Sequence, residues 1–598
     1  MSQEQSKDMS QYFYRASAAD FMKIPGSPVA YWLSPKLLDI FSAEQPLSEL
    51  ATVRQGLATS DNTQFVRYWS EVGLNRIGFG VLDRDTALTS QKKWFPFNKG
   101  GSFRRWAGNS ELVVNWENDG AAIKHSIITK YPYLNGNPDF VAKNPNFYFK
   151  KGLTWSALSS GLFSLRYQPE GFIFADKGQA MFPYSEENLI PIQGLLNSKV
   201  CIQFLKAISP TLDFNGGYIA KLPCIMADAQ HVKRLNEISE LDWNSYETSW
   251  EFSQNALASI SSSNAKLSDY YKELGNHLEK SSRETHRLEE ENNRLFIEAY
   301  GLEDELTPDV PLEEITLTCN PHYRYGRNRT EEERETLQQC DTIKELASYA
   351  IGCMMGRYSL DKAGLILASQ GETLQDYLRQ IPAPRFAPDD DGILPLTDQE
   401  WFADDATNRF REFVRIVWGD EHLKQNLDFV AESLCLHAIK PPSTRSGGES
   451  ALDTIRRYLS TQFFKDHLRT YKKRPIYWLF SSGKHKAFEC LVYLHRYHEG
   501  TLARMRTEYV IPLSAKLNSY AEKLEQDKDA STSAAEIKRI SNELATLHKQ
   551  QAELAQFDEK LRHFADQRIS LDLDDGVKVN YGKFGDLLAE VKAVTGGE

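Results

Sequence analysis

Apolar residues repeat at helical spacing near the end of the chain. Over 513–524, three leucines and a tyrosine follow one another at intervals of 4, 3 and 4, which places them on one helix face. A turn-forming segment, DASTSA (529–534), comes next, and isoleucines and leucines then repeat at near-heptad spacing from 537 to 561. The pattern predicts two long antiparallel helices over 501–567.

Residues 46–225 show a different pattern, in which β-branched and aromatic residues are interrupted by turn-forming pairs. Strands are predicted at 77–82, 111–116, 146–150, 153–158, 162–166 and 171–175. Helical spacing returns in QGLLNSKVCIQFLKAISP (193–210). This mixture predicts an α+β module.

The chain has 598 residues, which predicts roughly three to five domains. The predicted segments are an N-terminal docking leader (1–45), a mixed α/β domain (46–225), a helical spacer (226–300), a mainly helical domain (301–500), the antiparallel helical hairpin (501–567) and a tail that packs on the body (568–598). Within the mainly helical domain, RPIYWLF (474–480) predicts a strand. The predicted fold class is therefore α+β.

Composition excludes several protein classes. With 41% hydrophobic and 25% charged residues, the chain is globular in character rather than disordered. No apolar run approaches the ~20 residues that span a bilayer, and the first residues lack the apolar stretch of a secretory signal. Seven scattered cysteines without a CxxC pair fit a reducing compartment and argue against a cysteine zinc site. We therefore expect a cytoplasmic protein with no membrane association.

Charge is distributed unevenly around a net value of −12. Residues 51–230 hold 19 basic and 14 acidic side chains, whereas 231–598 hold 47 basic and 62 acidic ones. A basic region in an acidic chain is a candidate surface for a polyanion, although ordinary variation of surface charge would also account for it.

Motifs for catalysis are missing. There is neither a GxxxxGK[ST] phosphate loop nor an HExxH metal site, and the paired glycines of IGFGVLD (77–83) precede no helix of a βαβ unit. Three segments, NPHY (320–323), NPDF (137–140) and NPNF (144–147), resemble the Asn-Pro-Pro-Tyr motif of amino-methyltransferases, but each departs from it and favours a turn. No catalytic, cofactor-binding or metal-binding residue is predicted.

Basic side chains interleaved with aromatic ones form the candidate binding surface. KKWFPFNKGGSFRRW (92–106) pairs cations for phosphates with rings that could stack on bases, and its glycines could bring backbone N–H groups close to a partner. The competing interpretation is a loop with core aromatics and solvated cations. The segment 53–69 adds residues able to read a base edge, and TYKKRPIYWLFSSGKHK (470–486) is a second basic patch. The predicted DNA-binding residues are Arg54, Gln55, Arg67, Lys92, Lys93, Lys99, Arg104, Arg105, Lys472, Lys473, Arg474, Lys484 and Lys486.

Several long blocks resemble one family. GLATSDNTQFVRYWSEV, KWFPFNKGGSFRRWAGNSELVVNWENDG, FADKGQAMFP, SYAIGCMMGRYSLD and LDLDDGVKVNYGKFGDLLA look like the C-terminal half of PglX adenine-specific DNA methyltransferases from BREX phage-exclusion systems. Family members are roughly twice this length, and their N-terminal half carries the cofactor loop and catalytic motif. The resemblance therefore carries over no catalytic or cofactor residue.

The resemblance implies the DNA-recognition portion of an adenine-N6 methyltransferase. Its partners would be double-stranded DNA, the missing methyltransferase half and other BREX proteins, and S-adenosylmethionine would be needed only by the complete enzyme. This chain alone is expected to be inactive as a methyltransferase. The alternative function is a protein-interaction scaffold that binds other defence components, with incidental DNA contact. Neither the recognised DNA motif nor the oligomeric state follows from the residues.

Overall fold

The computed structural model describes residues 17–159, 161–209, 213–259, 266–441 and 449–597. These residues form two compact units. Unit one comprises the described parts of Met1–Val66, Gly78–Trp243 and Leu278–Arg327, and unit two those of Arg67–Ile77, Asn244–His277 and Asn328–Glu598. The division into the six segments inferred from the sequence stays a prediction.

Unit one is built on short strands. The strands up to the middle of the chain are β1 (Ala51–Arg54), β2 (Val66–Tyr68), β3 (Trp94–Asn98), β4 (Leu112–Asn115), β5 (Gly152–Ser156), β6 (Leu165–Gln168), β7 (Ile173–Phe174) and β8 (Gly178–Pro183). One antiparallel sheet has the order β1-β8-β5-β6. In a second sheet, β3 pairs antiparallel with β4 and parallel with β7.

Helices cover the sheets of unit one. They are Ala18–Phe21, Pro35–Ala43, Asn62–Phe65, Arg84–Thr89, Glu117–Lys130, Leu189–Leu196, Lys199–Ile208, Gly216–Ile219, His231–Asn244 and Pro321–Tyr325. A long helix, Leu267–Ala299, contributes its residues from Leu278 onward to this unit. All five residues of β3 are buried, as expected for a strand covered on both faces.

Unit two is mostly helical. Its helices are Ala256–Ser259, Glu331–Met354, Leu374–Gln380, Ala406–Trp418, Leu423–His437, Ala451–Tyr458, Phe464–Thr470, Thr501–Arg504, Ile511–Ala530, Ala534–Asp566, Val577–Gly582 and Val591–Thr595. Its strands are β9 (Ile393–Pro395), β10 (Tyr477–Ser481) and β11 (Glu489–Tyr493), in the antiparallel order β10-β11-β9. Strand β10 confirms the strand expected in RPIYWLF.

The two longest C-terminal helices form the antiparallel hairpin. Leu513, Leu517 and Leu524 of Ile511–Ala530 are buried, as are Leu544 and Leu554 of Ala534–Asp566. The order of the contacts is reversed between the two helices: the Gln551 amide donates to Asn518, whereas the hydroxyl of the later Tyr520 contacts the earlier Glu543. The α+β fold class with a long helical hairpin is confirmed.

Two predicted strands are wrong. Residues 77–82 form a turn, because Gly80 takes a φ of +65° and breaks the extended path. Residues Pro145–Phe147 form a 3₁₀ turn that starts from a left-handed Asn144. The strands predicted at 111–116, 153–158, 162–166 and 171–175 overlap β4, β5, β6 and β7.

Candidate nucleic-acid interface

The aromatic residues of the 92–106 segment belong to the core of unit one. Trp94, Phe95, Phe97 and Trp106 are each at most 1% exposed. Strand β3 places the first three between neighbouring strands, and the Trp106 indole N–H donates to Glu289 over 2.7 Å. These rings therefore do not form a stacking surface for bases.

Both arginines of this segment are also buried. The Arg104 guanidinium lies 2.7 Å from the Asp242 carboxylate and over the Trp243 ring. The Arg105 guanidinium lies 2.7 Å from Glu289, whose pKa burial raises and Arg105 lowers. Exposure of the two arginines is 2% and 3%, so neither reaches a phosphate in this structure. Both arginines are held in buried ion pairs, and their contact with phosphates stays a prediction.

The lysines of the segment remain at the surface. Lys92, Lys93 and Lys99 are half-exposed, and partial burial lowers the pKa of Lys99, an effect that Asp176 partly opposes. The glycines do not present amides outward, because the Gly101 N–H donates to the Ser156 hydroxyl over 2.9 Å. The segment therefore offers cations for phosphates and no backbone cradle.

Arg54 and Gln55 follow one another at the end of β1. The Gln55 side-chain oxygen accepts a hydrogen bond from the Lys143 ammonium over 2.8 Å. The Arg54 guanidinium carbon lies 5.1 Å from the centre of the Phe147 ring, and its buried Nε has no hydrogen-bond partner among the described residues. Gln55 is thus already bonded, whereas Arg54 retains unused donor capacity.

Arg54 opens into a cleft of about 600 Å³, here called the Arg54 cleft. Its lining is Thr52, Arg54, Leu82, Phe147, Lys150, Lys151, Glu170, Phe182, Pro183 and Tyr184. The volume falls within the ~300–1,000 Å³ typical of ligand sites. Three cations, one carboxylate, one phenol and an apolar floor can together bind an anion beside a flat apolar group.

Of the residues that line this cleft, only Arg54 is among the DNA-binding residues predicted from the sequence. NFYFKK was interpreted as a strand, but its Phe147 ends a 3₁₀ turn and its Lys150 is exposed. Tyr184 is 66% exposed just after β8. The sequence does indicate a basic and aromatic surface here, because two adjacent lysines follow three aromatic residues. The segment 92–106 combines the same residue types.

Arg67 has a different environment from the one predicted. It lies in the part of the chain that belongs to unit two, and it is 8% exposed. Its guanidinium donates to the backbone oxygens of Asp574 and Asp575 over 3.1 Å each, and burial lowers its pKa. Arg67 therefore joins residues 67–77 to the C-terminal tail, and its contact with a base stays a prediction.

The second predicted patch is divided by exposure. Lys472 and Lys473, just after Phe464–Thr470, are exposed and adopt left-handed φ values of 50° and 61°; Lys484 is exposed as well. Arg474 is partly buried and donates to the Lys473 carbonyl over 2.8 Å. Lys486 donates to the Ser460 carbonyl and pairs with Glu489 at 2.9 Å.

The Ser-Ser-Gly-Lys loop of this patch holds an internal carboxylate. Glu553 accepts hydrogen bonds from the Ser482 hydroxyl and the His485 N–H, each at 2.7 Å, and from the Ala487 N–H at 3.2 Å. An anion-binding loop is present, and its ligand is a side chain of the hairpin.

Of the segments that resemble a methyltransferase motif, NPHY begins the helix Pro321–Tyr325, and NPDF and NPNF form 3₁₀ turns. In NPHY, the Asn320 amide donates to the Leu312 and Ile315 carbonyls while its oxygen accepts from the His322 N–H. Both N–H groups of that amide and one lone pair of its oxygen are therefore used within the chain. Within the described ranges, no three His, Cys, Asp or Glu side chains are placed to hold a metal ion. No helix in the described part of the chain is long and apolar enough to cross a membrane.

No family model matches the chain. It is 46% identical over 583 residues to the adenine-specific methyltransferase BrxX of Escherichia coli O9:H4 (strain HS), covering 96% of this chain and 46% of BrxX. It is 36% identical over 583 residues to the adenine-specific methyltransferase PglX of Lacticaseibacillus casei (strain Zhang), covering 96% of this chain and 45% of PglX. The chain thus spans about half the length of the curated relatives it matches, and its similarity to them over nearly all its residues supports the resemblance to PglX methyltransferases.

Proposed function

We propose that this chain is the DNA-recognition portion of an adenine-N6 DNA methyltransferase in a BREX phage-exclusion system. The observation that carries the proposal is the similarity to two adenine-specific methyltransferases over 96% of the chain. In this proposal a catalytic half outside the chain supplies S-adenosylmethionine and the reacting groups. The chain itself determines which adenine of a duplex is presented to them.

Unit one would make the contacts that depend on DNA sequence. Lys92, Lys93 and Lys99 are at its surface and can bind phosphates, which position the duplex without reading it. Arg54 is the remaining predicted candidate for a base edge, because an arginine fork can bond two acceptors of one base. Gln55 would have to exchange its bond with Lys143 before it could do the same.

Unit two would add a second, sequence-independent contact. Lys472, Lys473 and Lys484 are exposed cations in a region that is otherwise acidic. The 15 excess acidic residues over 231–598 would weaken attachment to DNA of arbitrary sequence, because non-specific binding depends on net charge. Selectivity would then depend on the few base contacts.

The test is selection from a pool of duplexes with a randomised centre, using the purified chain and sequencing the bound fraction. We expect one short motif to be enriched over successive rounds. A bound fraction without any enriched motif would contradict a recognition role. Failure to retain any duplex would favour the alternative, a scaffold for other defence proteins.

A further inference from the structure

The Arg54 cleft is lined by both cationic and apolar side chains. Its cations are Arg54, Lys150 and Lys151, and Lys151 forms an ion pair with Glu186. Neither Arg54 nor Lys150 has an ion pair with a described carboxylate; both lie against the Phe147 ring, at 5.1 and 5.3 Å from its centre. Two cations of the cleft are therefore available to an anion.

Apolar groups form much of the rest of the lining. Phe147 packs on Phe182 with their ring centres 5.0 Å apart, and Leu82 is 58% exposed beside them. Tyr184 stands at the rim, and its backbone N–H is held by the Leu50 carbonyl over 2.9 Å. A ring with a fixed backbone and an exposed face is suited to stack on another flat group.

A nucleotide combines the groups that this lining would bind. Its phosphate matches Arg54 and Lys150, and its base offers a flat face to Tyr184 and the apolar wall. The Glu170 carboxylate can accept a hydrogen bond from an exocyclic amino group, which cytosine and adenine carry. A phosphate alone would leave the apolar wall unused.

The shape of the Arg54 cleft favours an unpaired nucleotide over one within a duplex. Bases in a duplex are stacked on their neighbours, so their faces cannot contact a side-chain ring. A base that has left the stack exposes both faces and can enter a cleft. We propose that the Arg54 cleft binds one unpaired nucleotide of a DNA strand, an inference that rests on the proposed DNA-recognition function.

The experiment compares two fluorescein-labelled DNA duplexes that differ by one unpaired adenosine nucleotide at the centre. Binding of the whole chain is followed by fluorescence anisotropy. We expect the duplex with the unpaired nucleotide to bind about tenfold more tightly, which is within the range for one base stacked on a ring. Tyr184→Ala and Lys150→Ala should each remove most of that preference.

Matched controls separate the cleft from general charge. Lys206→Ala removes an exposed lysine from the helix Lys199–Ile208, outside the cleft lining, and should leave the preference unchanged. Circular dichroism and the melting temperature of each variant should match the parent chain, because Tyr184 and Lys150 are exposed.

Two results would overturn the inference, and they differ in what else they affect. Equal affinity for both duplexes, or a preference retained in Tyr184→Ala and Lys150→Ala, rejects the cleft as a nucleotide site and leaves the proposed function standing. Failure to bind either duplex rejects both proposals.

Discussion

Arg104 and Asp242 form an ion pair almost completely removed from water, with both side chains 3% exposed. Removal of one partner leaves a buried charge without compensation, which typically costs about 3–5 kcal/mol. We therefore expect Arg104→Ala to lower the free energy of unfolding of unit one by that amount. The measurement is urea unfolding of the intact chain followed by tryptophan fluorescence.

The exposed Lys206→Ala is the control for this change, and it should alter stability by less than about 0.5 kcal/mol. If Arg104→Ala unfolded at the same urea concentration as Lys206→Ala, the buried pair would not have the role assigned to it. Lys92→Ala should weaken DNA binding and leave the free energy of unfolding unchanged.

His467 is a second buried group whose charge state is set by its surroundings. Its Nε2 accepts hydrogen bonds from the Ile476 and Tyr477 N–H groups at 3.1 Å, and burial lowers its pKa from 6.5 to about 3. The folded state therefore keeps it neutral, while the unfolded chain takes up a proton below about pH 6.5. The free energy of unfolding therefore decreases as the pH falls from about 6.5 toward about 3.

Replacement of this histidine should reduce the acid sensitivity. His467→Gln keeps an acceptor and cannot be protonated, so its loss of unfolding free energy between about pH 7.5 and 5.5 should be smaller by about 1.4 kcal/mol. His548→Gln, an exposed position in the same unit, should leave the pH dependence of the parent chain. Identical pH profiles for His467→Gln and the parent would contradict the assignment.

At the scale of elements, the loop between β10 and β11 is tied to the helix Ala534–Asp566 by one carboxylate. Glu553 accepts three hydrogen bonds from Ser482, His485 and Ala487. A hydrogen bond to a charged group contributes about 1.5–3 kcal/mol, so Glu553→Gln should loosen the loop. Hydrogen exchange at the His485 and Ala487 amides should accelerate.

Glu559→Gln makes the same chemical change at an exposed position of that helix and should not affect those amides. Unchanged exchange in Glu553→Gln would mean that the carboxylate is not what holds the loop. The same measurement reports whether the loop can release its internal anion, since accelerated exchange requires the two N–H groups to open.

Elements differ in how far their residues reveal them. The hairpin could be predicted because its core comes from a local repeat, in which Leu513, Leu517 and Leu524 meet leucines of the next helix. The fate of Arg104 could not, because its partner Asp242 lies 138 residues away and no local pattern indicates it. Exposed and buried basic residues look alike in a sequence. Only the fold shows that Arg104 is buried whereas Lys92 reaches the surface.

The Arg54 cleft also could not be predicted from a local sequence pattern. Arg54 stood out because arginine can read a base, yet Phe147 and Lys150 come from a second segment of the chain and Tyr184 from a third. The pairing of the short strands β1 and β8 brings Arg54 and Tyr184 to one sheet. The alternation in these strands is too brief to predict register, and register decides which side chains share a face.

At the scale of the whole molecule, the acidic net charge opposes DNA binding and makes the exposed cations of unit two important. Lys472→Glu combined with Lys473→Glu reverses two charges at exposed positions. We expect DNA affinity at physiological salt to fall at least tenfold for all sequences, because contacts to phosphates do not depend on the bases. The measurement is fluorescence anisotropy against duplexes of unrelated sequence.

Lys523→Glu combined with Lys538→Glu produces the same change in net charge on the exposed hairpin. This control should weaken binding much less. Equal losses for the two double variants would show that only the total charge matters and would remove the second patch from the proposed interface.

The proposed function requires that this chain by itself selects a DNA sequence. The most direct measurement is the ratio of its dissociation constants for a duplex carrying the selected motif and for a duplex with that motif shuffled, both at about 0.15 M salt. We expect a ratio above about ten, which corresponds to ~1.4 kcal/mol of discrimination between the two duplexes. A ratio of one, with both duplexes bound, would contradict it.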